Sequence, residues 1–259
     1  MKPNKDELQG LLEFAVKLAF AAGDITNKYY RKNPQRYTKP DGSHVTIADR
    51  EAESYLRQQI AETFPDDGIL GEEEGEIEGR SGRRWILDPI DGTFAFVHGV
   101  PFYGVLIALE IENEVSLGVI NMPMLGEIVA AANGCGCFFN GDPARVSTTA
   151  KLDEALLLCT DFRAADKHGF GTDVERLQRS VRTSRTWGDC YGYVLVATGR
   201  ADVMLDPVMN LWDCAPLLPI MEEAGGTFTD WRGNRTVAGG NSIATNGLLF
   251  EQVMEVIKS

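Results

Sequence analysis

Apolar residues Leu8, Leu11, Leu12, Ala15, Leu18, Ala22 and Ile25 recur at three- and four-residue intervals, which predicts an amphipathic helix over residues 8–25. Asp6 supplies a start signal, and Gly23 interrupts the pattern near its end. A second helix is expected from near Asp49, with Ala52, Tyr55, Leu56 and Ile60 on one face. Between the two, Lys39-Pro40-Asp41-Gly42-Ser43 reads as a turn leading into extended Val45-Thr46-Ile47. The period then shortens. Gly68-Ile69-Leu70 leads into an acidic stretch, and Trp85-Ile86-Leu87 is a short buried strand ending at Asp88. Tyr103–Ile111, Val115–Met122 and Glu127–Ala132 are strand-like and separated by turns. The first half therefore reads as helices followed by a run of antiparallel strands.

The second half alternates. Strands are expected at Leu156–Cys159, Ala201–Leu205, Thr227–Thr229 and Ile243–Thr245. Helices are expected at Val174–Ser180, Cys190–Thr198, Trp212–Ala224 and Leu248–Ile257. Such alternation predicts an α/β arrangement. Asn140-Gly141-Asp142-Pro143 marks a turn near the best boundary. This gives an N-terminal α+β lobe over 1–145 and a C-terminal α/β lobe over 146–259, the two not independent of each other. A chain of 259 residues has enough material for either lobe to bury a core.

Composition narrows the functional classes. The net charge is −13, which disfavours nucleic acid and anionic membranes as partners. A large negative charge also sits badly with an anionic substrate, unless bound cations use up some of the carboxylates. The five cysteines are odd in number and lack zinc or thioredoxin spacing, so they read as plain thiols in a reducing compartment. The opening residues lack the order of a signal peptide, and no apolar run reaches the roughly 20 residues of a membrane span. A cytoplasmic protein is expected.

Three acidic stretches carry candidate chemistry. In Asp88-Pro89-Ile90-Asp91-Gly92-Thr93, two carboxylates sit three apart where an apolar strand ends. Pro89 stiffens the turn, and Gly92 permits close backbone approach. A phosphate would rest on the amides of Gly92 and Thr93 if a helix starts there. Taken alone, this reads equally as an Asp-rich turn with a capping threonine. Gly71-Glu72-Glu73-Glu74 reads alone as a surface loop, although a hard cation would turn the mutual repulsion into ligation. Asp213, in Leu211-Trp212-Asp213, reads alone as a helix cap.

Together, Val45-Thr46-x-x-Asp49, Gly71-Glu72-Glu73, Asp88-Pro89-Ile90-Asp91-Gly92-Thr93 and Trp212-Asp213 with Glu223-Ala224-Gly225-Gly226 resemble the inositol monophosphatase family from about residue 10 to the C-terminus. The resemblance implies a layered αβαβα sugar-phosphatase-type fold, with an antiparallel sheet in the N-terminal half and α/β structure in the C-terminal half. It also implies a metal-dependent phosphomonoesterase with two to three Mg2+ ions per active site. Glu72, Asp88 and the carbonyl of Ile90 match ligands of the first ion. Asp88, Asp91 and Asp213 match those of the second. Glu72 also borders a third site. Thr93 and Asp49 match the pair that orients and deprotonates the attacking water, and Gly92 and Thr93 match phosphate contacts. A homodimer is the family default. One departure stands in Thr93-Phe94-Ala95-Phe96, where Ala95 replaces a usual polar residue.

The alcohol side of the pocket is read from the second half. Asp206 falls where inositol phosphatases hold a glutamate, and Asp189 where they have a small alanine, with Asn210 close by. Two carboxylates suit a cationic alcohol through charge-assisted hydrogen bonds better than a neutral polyol. The plainer alternatives are that Asp189 caps the following helix and that Asp206 is a turn residue before Pro207. The run from Thr186 to Tyr193 and from Leu205 to Asp213 resembles the histidinol-phosphate phosphatase branch of the family. L-Histidinol phosphate is thus the expected substrate. An inositol or broad sugar-phosphate monophosphatase is the alternative, with Arg182 and Arg185 keeping a second phosphate open. An inactive relative acting as a binding protein is the alternative of another class. His44, His98 and His168 are expected to be structural or surface residues.

Overall fold

The computed structural model describes residues 3–38 and 44–258. The turn expected at 39–43 lies outside them. Helix α1 (Lys5–Tyr29) starts one turn earlier than the apolar pattern, capped by Asn4, whose Oδ1 accepts the Glu7 N–H at 2.9 Å. Gly23 does not end it. A Cβ there would lie 2.6 Å from Asn121 Nδ2, so this glycine marks where the helix presses on the sheet. Strands β1 (Arg36–Thr38) and β2 (His44–Thr46) form a small antiparallel pair. Helix α2 (Ile47–Thr63) follows, so Ile47 is helical and not extended. Thr46 is its N-cap and Asp49 closes the capping box.

The first sheet contains β3 (Gly68–Gly71), β4 (Gly75–Ile77), β5 (Arg83–Asp91), β6 (Gly104–Ile111), β7 (Glu114–Met122), β8 (Glu127–Ala132), β9 (Gly136–Phe139) and β10 (Asp142–Pro143). Its order is β10-β9-β8-β7-β6-β5-β3-β4. All neighbours are antiparallel except β3 and β5, which run parallel because β4 occupies the far side of β3 and the chain returns across it. The purely antiparallel expectation fails at that pair. Short helix α3 (Thr93–Val97) follows β5. Asn140-Gly141 is the left-handed turn joining β9 to β10.

The second sheet has order β12-β11-β13-β15-β14, with β11 (Leu156–Cys159), β12 (Thr183–Arg185), β13 (Val203–Asp206), β14 (Thr227–Thr229) and β15 (Ser242–Thr245). Between its strands run α4 (Phe162–Lys167), α5 (Gly171–Ser180), α6 (Asp189–Ala197) and α7 (Leu211–Glu223), and α8 (Phe250–Lys258) follows the last of them. The pattern anticipated neither α4, short and only partly apolar, nor β12, whose Thr183-Ser184-Arg185 has no apolar residue.

Strand alternation dictates the layering. Trp85, Leu87, Val105, Ile107 and Leu109 face α1 and α2. Their alternates Ile86, Leu106 and Ala108 face the other way, toward residues of α6 and α7. In the second sheet Leu158, Met204 and Ala244 join that same central core. Leu157, Val203, Leu205 and Ile243 point outward to Val174 and Leu177 of α5 and Val253 and Met254 of α8. The result is the five-layer αβαβα sandwich, with one apolar cluster shared by both halves. A Cβ on Gly118 would meet Pro216 backbone at 2.1 Å, which fixes how closely α7 lies on β7.

Candidate active site

The acidic turn sits where β5 breaks its register. Asp88 pairs with Leu106 and Asp91 with Gly104, so three steps on β5 match two on β6. In a regular strand, side chains three apart face opposite ways. The extra residue of this bulge turns both aspartates to one side. Strand β5 runs on to Asp91 instead of stopping at Asp88. Asp213 reaches the same point from the first turn of α7, and carboxylate oxygens of Asp88, Asp91 and Asp213 lie within 4.8 Å of one another.

Close packing of buried carboxyls makes it costly for them to ionise together. Burial, then Glu72, Asp91 and Asp213, hold the Asp88 carboxyl well above the usual range. Glu72 thus joins the three aspartates from the β3–β4 turn. Burial also raises Asp91, partly offset by the Cys190 N–H that donates to its Oδ2 at 2.6 Å. Burial and then Asp91 push Asp213 to about 8. Such a set of hard oxygen donors, mutually repelling and partly desolvated, fits a divalent cation that prefers oxygen ligands. The cap reading of Asp213 is also true, since its Oδ2 accepts the Asn210 N–H at 2.7 Å.

Thr93 and Asp49 flank the turn. Gly92 adopts a left-handed backbone (φ 82°) as N-cap of α3, so a helix does begin at Thr93. The Thr93 hydroxyl donates to the Ile90 carbonyl at 3.0 Å. Asp49 Oδ2 accepts both the N–H and the hydroxyl of Thr46, at 2.8 and 2.6 Å. Its Oδ1 is buried with no hydrogen-bond partner. Burial raises Asp49 to about 7.

Asp189 and Asp206 line one cavity of about 90 Å3 together with Asp91 and Asp213. Thr160, one residue past the end of β11, ties them together. It accepts the Asp189 N–H at 2.8 Å, and its hydroxyl bonds the Asp206 carboxylate. Tyr193 also donates to Asp206 Oδ2, at 2.8 Å. Burial lifts Asp206 to about 7 and Asp189 well above its ordinary value, Asp91 being the next cause for Asp189. Gly188, not Asp189, is the N-cap of α6, and Asp189 holds a left-handed backbone at φ 50°. Asn210 is not among the cavity's lining residues; it is the N-cap of α7. A wider cavity of about 490 Å3 shares Thr160 and Asp189 and is lined by Phe94, His98, Val100, Phe102 and Thr186. Ala95 also borders it.

Thr160, Tyr193 and the Cys190 amide went unread in the sequence. For Thr160 a signal existed: ligands of α/β sheets gather beyond the carboxyl ends of strands. Of the histidines, His98 packs against Phe94 with ring centroids 4.3 Å apart and planes tilted by 38°, and His168 is the C-cap of α4. All five cysteines are free, and burial pushes Cys137 and Cys159 up to about 12. Among the described residues no helix is long and apolar enough to cross a membrane.

The sequence profile of the inositol monophosphatase family matches residues 7–259. The chain belongs to the inositol monophosphatase family. It is a phosphoric monoester hydrolase of that family. It is 46% identical over 235 residues to a histidinol-phosphatase of Chlorobaculum parvum, covering 90% of this chain and 91% of the relative. It is 36% identical over 249 residues to a fructose-1,6-bisphosphatase/inositol-1-monophosphatase of Thermotoga maritima, covering 95% of both. Among solved structures it superposes on the extragenic suppressor protein suhB of Bartonella henselae with a TM-score of 0.90, at 30% identity, covering 96% of this chain and 99% of that one. The inositol monophosphatase fold thus spans both sheets of the chain.

Proposed function

We propose that this phosphomonoesterase hydrolyses L-histidinol phosphate to L-histidinol and phosphate. The observation that carries this reading is that Asp189 and Asp206 line the same cavity as Asp91 and Asp213. One pair of acids suits a cation facing the phosphate, and the other suits a cationic alcohol. The relative in Chlorobaculum parvum named for that activity supports the same reading. The wider cavity beside Asp189 offers room for the organic part of the ester.

Glu72, Asp88, Asp91, Asp213 and the Ile90 carbonyl would hold two to three Mg2+ ions. Bound there, Mg2+ neutralises the phosphate and lowers the pKa of an attacking water. The chain's own groups do the rest. The amides of Gly92 and Thr93 hold the phosphate at the start of α3. Thr93 and Asp49 orient the water, with Asp49 Oδ1 free to take its proton and Glu72 as a further acidic group of the site. Water attacks phosphorus as its proton passes to Asp49, the ester P–O bond breaks in line, and the leaving oxygen takes a proton from solvent water to become the alcohol. Asp189 and Asp206 hold the substrate's ammonium and imidazole.

Phosphate release from a panel of small phosphomonoesters tests the assignment. Histidinol phosphate should show the highest kcat/KM. Faster turnover of inositol 1-phosphate would overturn the substrate and favour the polyol reading that the Thermotoga maritima relative represents. A narrower test is Asp189→Ala. Losing one charge-assisted hydrogen bond, worth about 1.5–3 kcal/mol, should raise KM for histidinol phosphate by roughly 10- to 100-fold. KM for a neutral ester should stay within about threefold, since no such bond is lost there. Equal effects on both esters would remove Asp189 from recognition.

A further inference from the structure

Helix α2 carries a second buried charge beyond Asp49. Asp49, Glu53 and Arg57 recur at four-residue spacing, and all three are buried. Glu53 is 0% exposed, yet it faces neither the aspartate cluster nor the substrate cavity. Its two carboxylate oxygens are spent on the β3–β4 turn. Oε2 accepts the Glu73 N–H at 2.8 Å, and Oε1 accepts the Glu74 N–H at 2.9 Å. Arg57 Nε donates to Oε1 at 2.8 Å, and Arg57 Nη2 donates onward to the Gly75 carbonyl.

These contacts matter because Glu72 is the residue just before the anchored amides. Its own N–H donates to the Leu87 carbonyl at 3.2 Å, one residue short of Asp88. Three successive amides of the turn are therefore fixed, one to β5 and two to Glu53. A free acidic turn would splay, because Glu72, Glu73 and Glu74 repel one another and the cluster. Gly71 shows how tight the fit is: a Cβ there would lie 2.2 Å from Glu53 Oε1 and 2.7 Å from Arg57 Nη2.

We infer that Glu53, with Arg57, is a positioning residue that aims Glu72 at the cation site by holding the amides of Glu73 and Glu74. The inference rests on the cation-site reading above. The carboxylate form is required, because two N–H groups and a guanidinium all need acceptors. A glutamine offers one oxygen and presents an N–H to a neighbouring N–H.

The test is Mn2+ titration of Glu53→Gln, followed by electron paramagnetic resonance, alone and combined with Glu72→Gln. Glu53→Gln should raise the Mn2+ dissociation constant by roughly 10- to 100-fold, the range for groups that support metal ligands. With Glu72 already replaced, adding Glu53→Gln should change it by less than about threefold, because the two act through one contact chain. Hydrogen exchange at the amides of Glu73 and Glu74 should accelerate. Gly71→Ala displaces the same carboxylate without altering charge, and should reproduce the weaker binding if Glu53→Gln does not fold. Wild-type affinity in a folded Glu53→Gln protein would overturn the inference, as would an equal loss with and without Glu72. A wild-type protein that fails to bind Mn2+ would instead overturn the cation site itself.

Discussion

Replacing Asp88 with asparagine is expected to lower kcat/KM by on the order of 10^3-fold, the loss that follows removal of one preorganised electrostatic group from a dry site. The same change should make the cation-free protein more stable. Asp88 is 2% exposed and packed against Glu72, Asp91 and Asp213, so its ionised form is costly to the fold without a cation. Asparagine keeps the shape, removes one charge and leaves the Ile90 N–H, which donates to Asp88 Oδ1 at 2.9 Å, with a carbonyl acceptor. Function and stability thus pull in opposite directions at this residue. Phosphate release and thermal melts in EDTA check both halves. Activity within about tenfold of wild type would remove Asp88 from the reaction. A lower melting temperature in EDTA would mean that Asp88 is structural.

The cation-free protein should also lose stability as pH rises, the reverse of ordinary acid denaturation. Asp49 and Asp206 are raised to about 7 and Asp213 to about 8, with Asp88, Asp91 and Asp189 raised as well. Unfolded aspartates titrate near about 3.9. Between roughly pH 4 and pH 8 the folded protein therefore binds more protons than the unfolded chain. Stability is fully present below the unfolded value and falls as pH climbs through the folded values. From about pH 5 to about pH 8 in EDTA, Tm should drop by at least about 5 °C, at roughly 2–4 °C per kcal/mol. Excess Mg2+ should flatten the dependence, because the cation compensates the charges that protons compensated before. It should raise Tm most at the alkaline end. Calorimetry over that range decides the matter. A Tm in EDTA that is flat or rises with pH would sink the prediction. Asp88→Asn should flatten the curve partly, which links the two experiments.

Much of this architecture was legible from local pattern. Leu156–Cys159, Glu127–Ala132 and Thr227–Thr229 are strands with the bounds expected from the sequence. The first two helices were located because their apolar faces repeat at helical spacing. Differences arose where one particular contact, near or distant, overrides the average signal of the residue type. Gly23 looked like a stop because glycine weakens helices, but α1 runs through it to press on Asn121. Ile47 looked extended because Thr46 precedes it, but Thr46 is the cap. Asn210, expected close to the two substrate acids, is the N-cap of α7, with its N–H held by Asp213 Oδ2.

The sequence by itself determined most of the helices and strands, because apolar spacing carries that information directly, and its motifs resembled a family that implies the five-layer fold and one site shared by these acids. The tertiary structure alone decided how they gather. The bulge between Asp88 and Asp91 depends on pairing with β6, and residues three apart in an unpaired strand give no hint that they face the same way. Thr160, Tyr193 and Glu53 entered the picture through contacts over 29, 13 and 20 residues of chain, to Asp189, Asp206 and Glu73. Hydrogen bonds of that kind leave no periodic mark, because what they satisfy is a buried polar group whose burial exists only once the layers have closed.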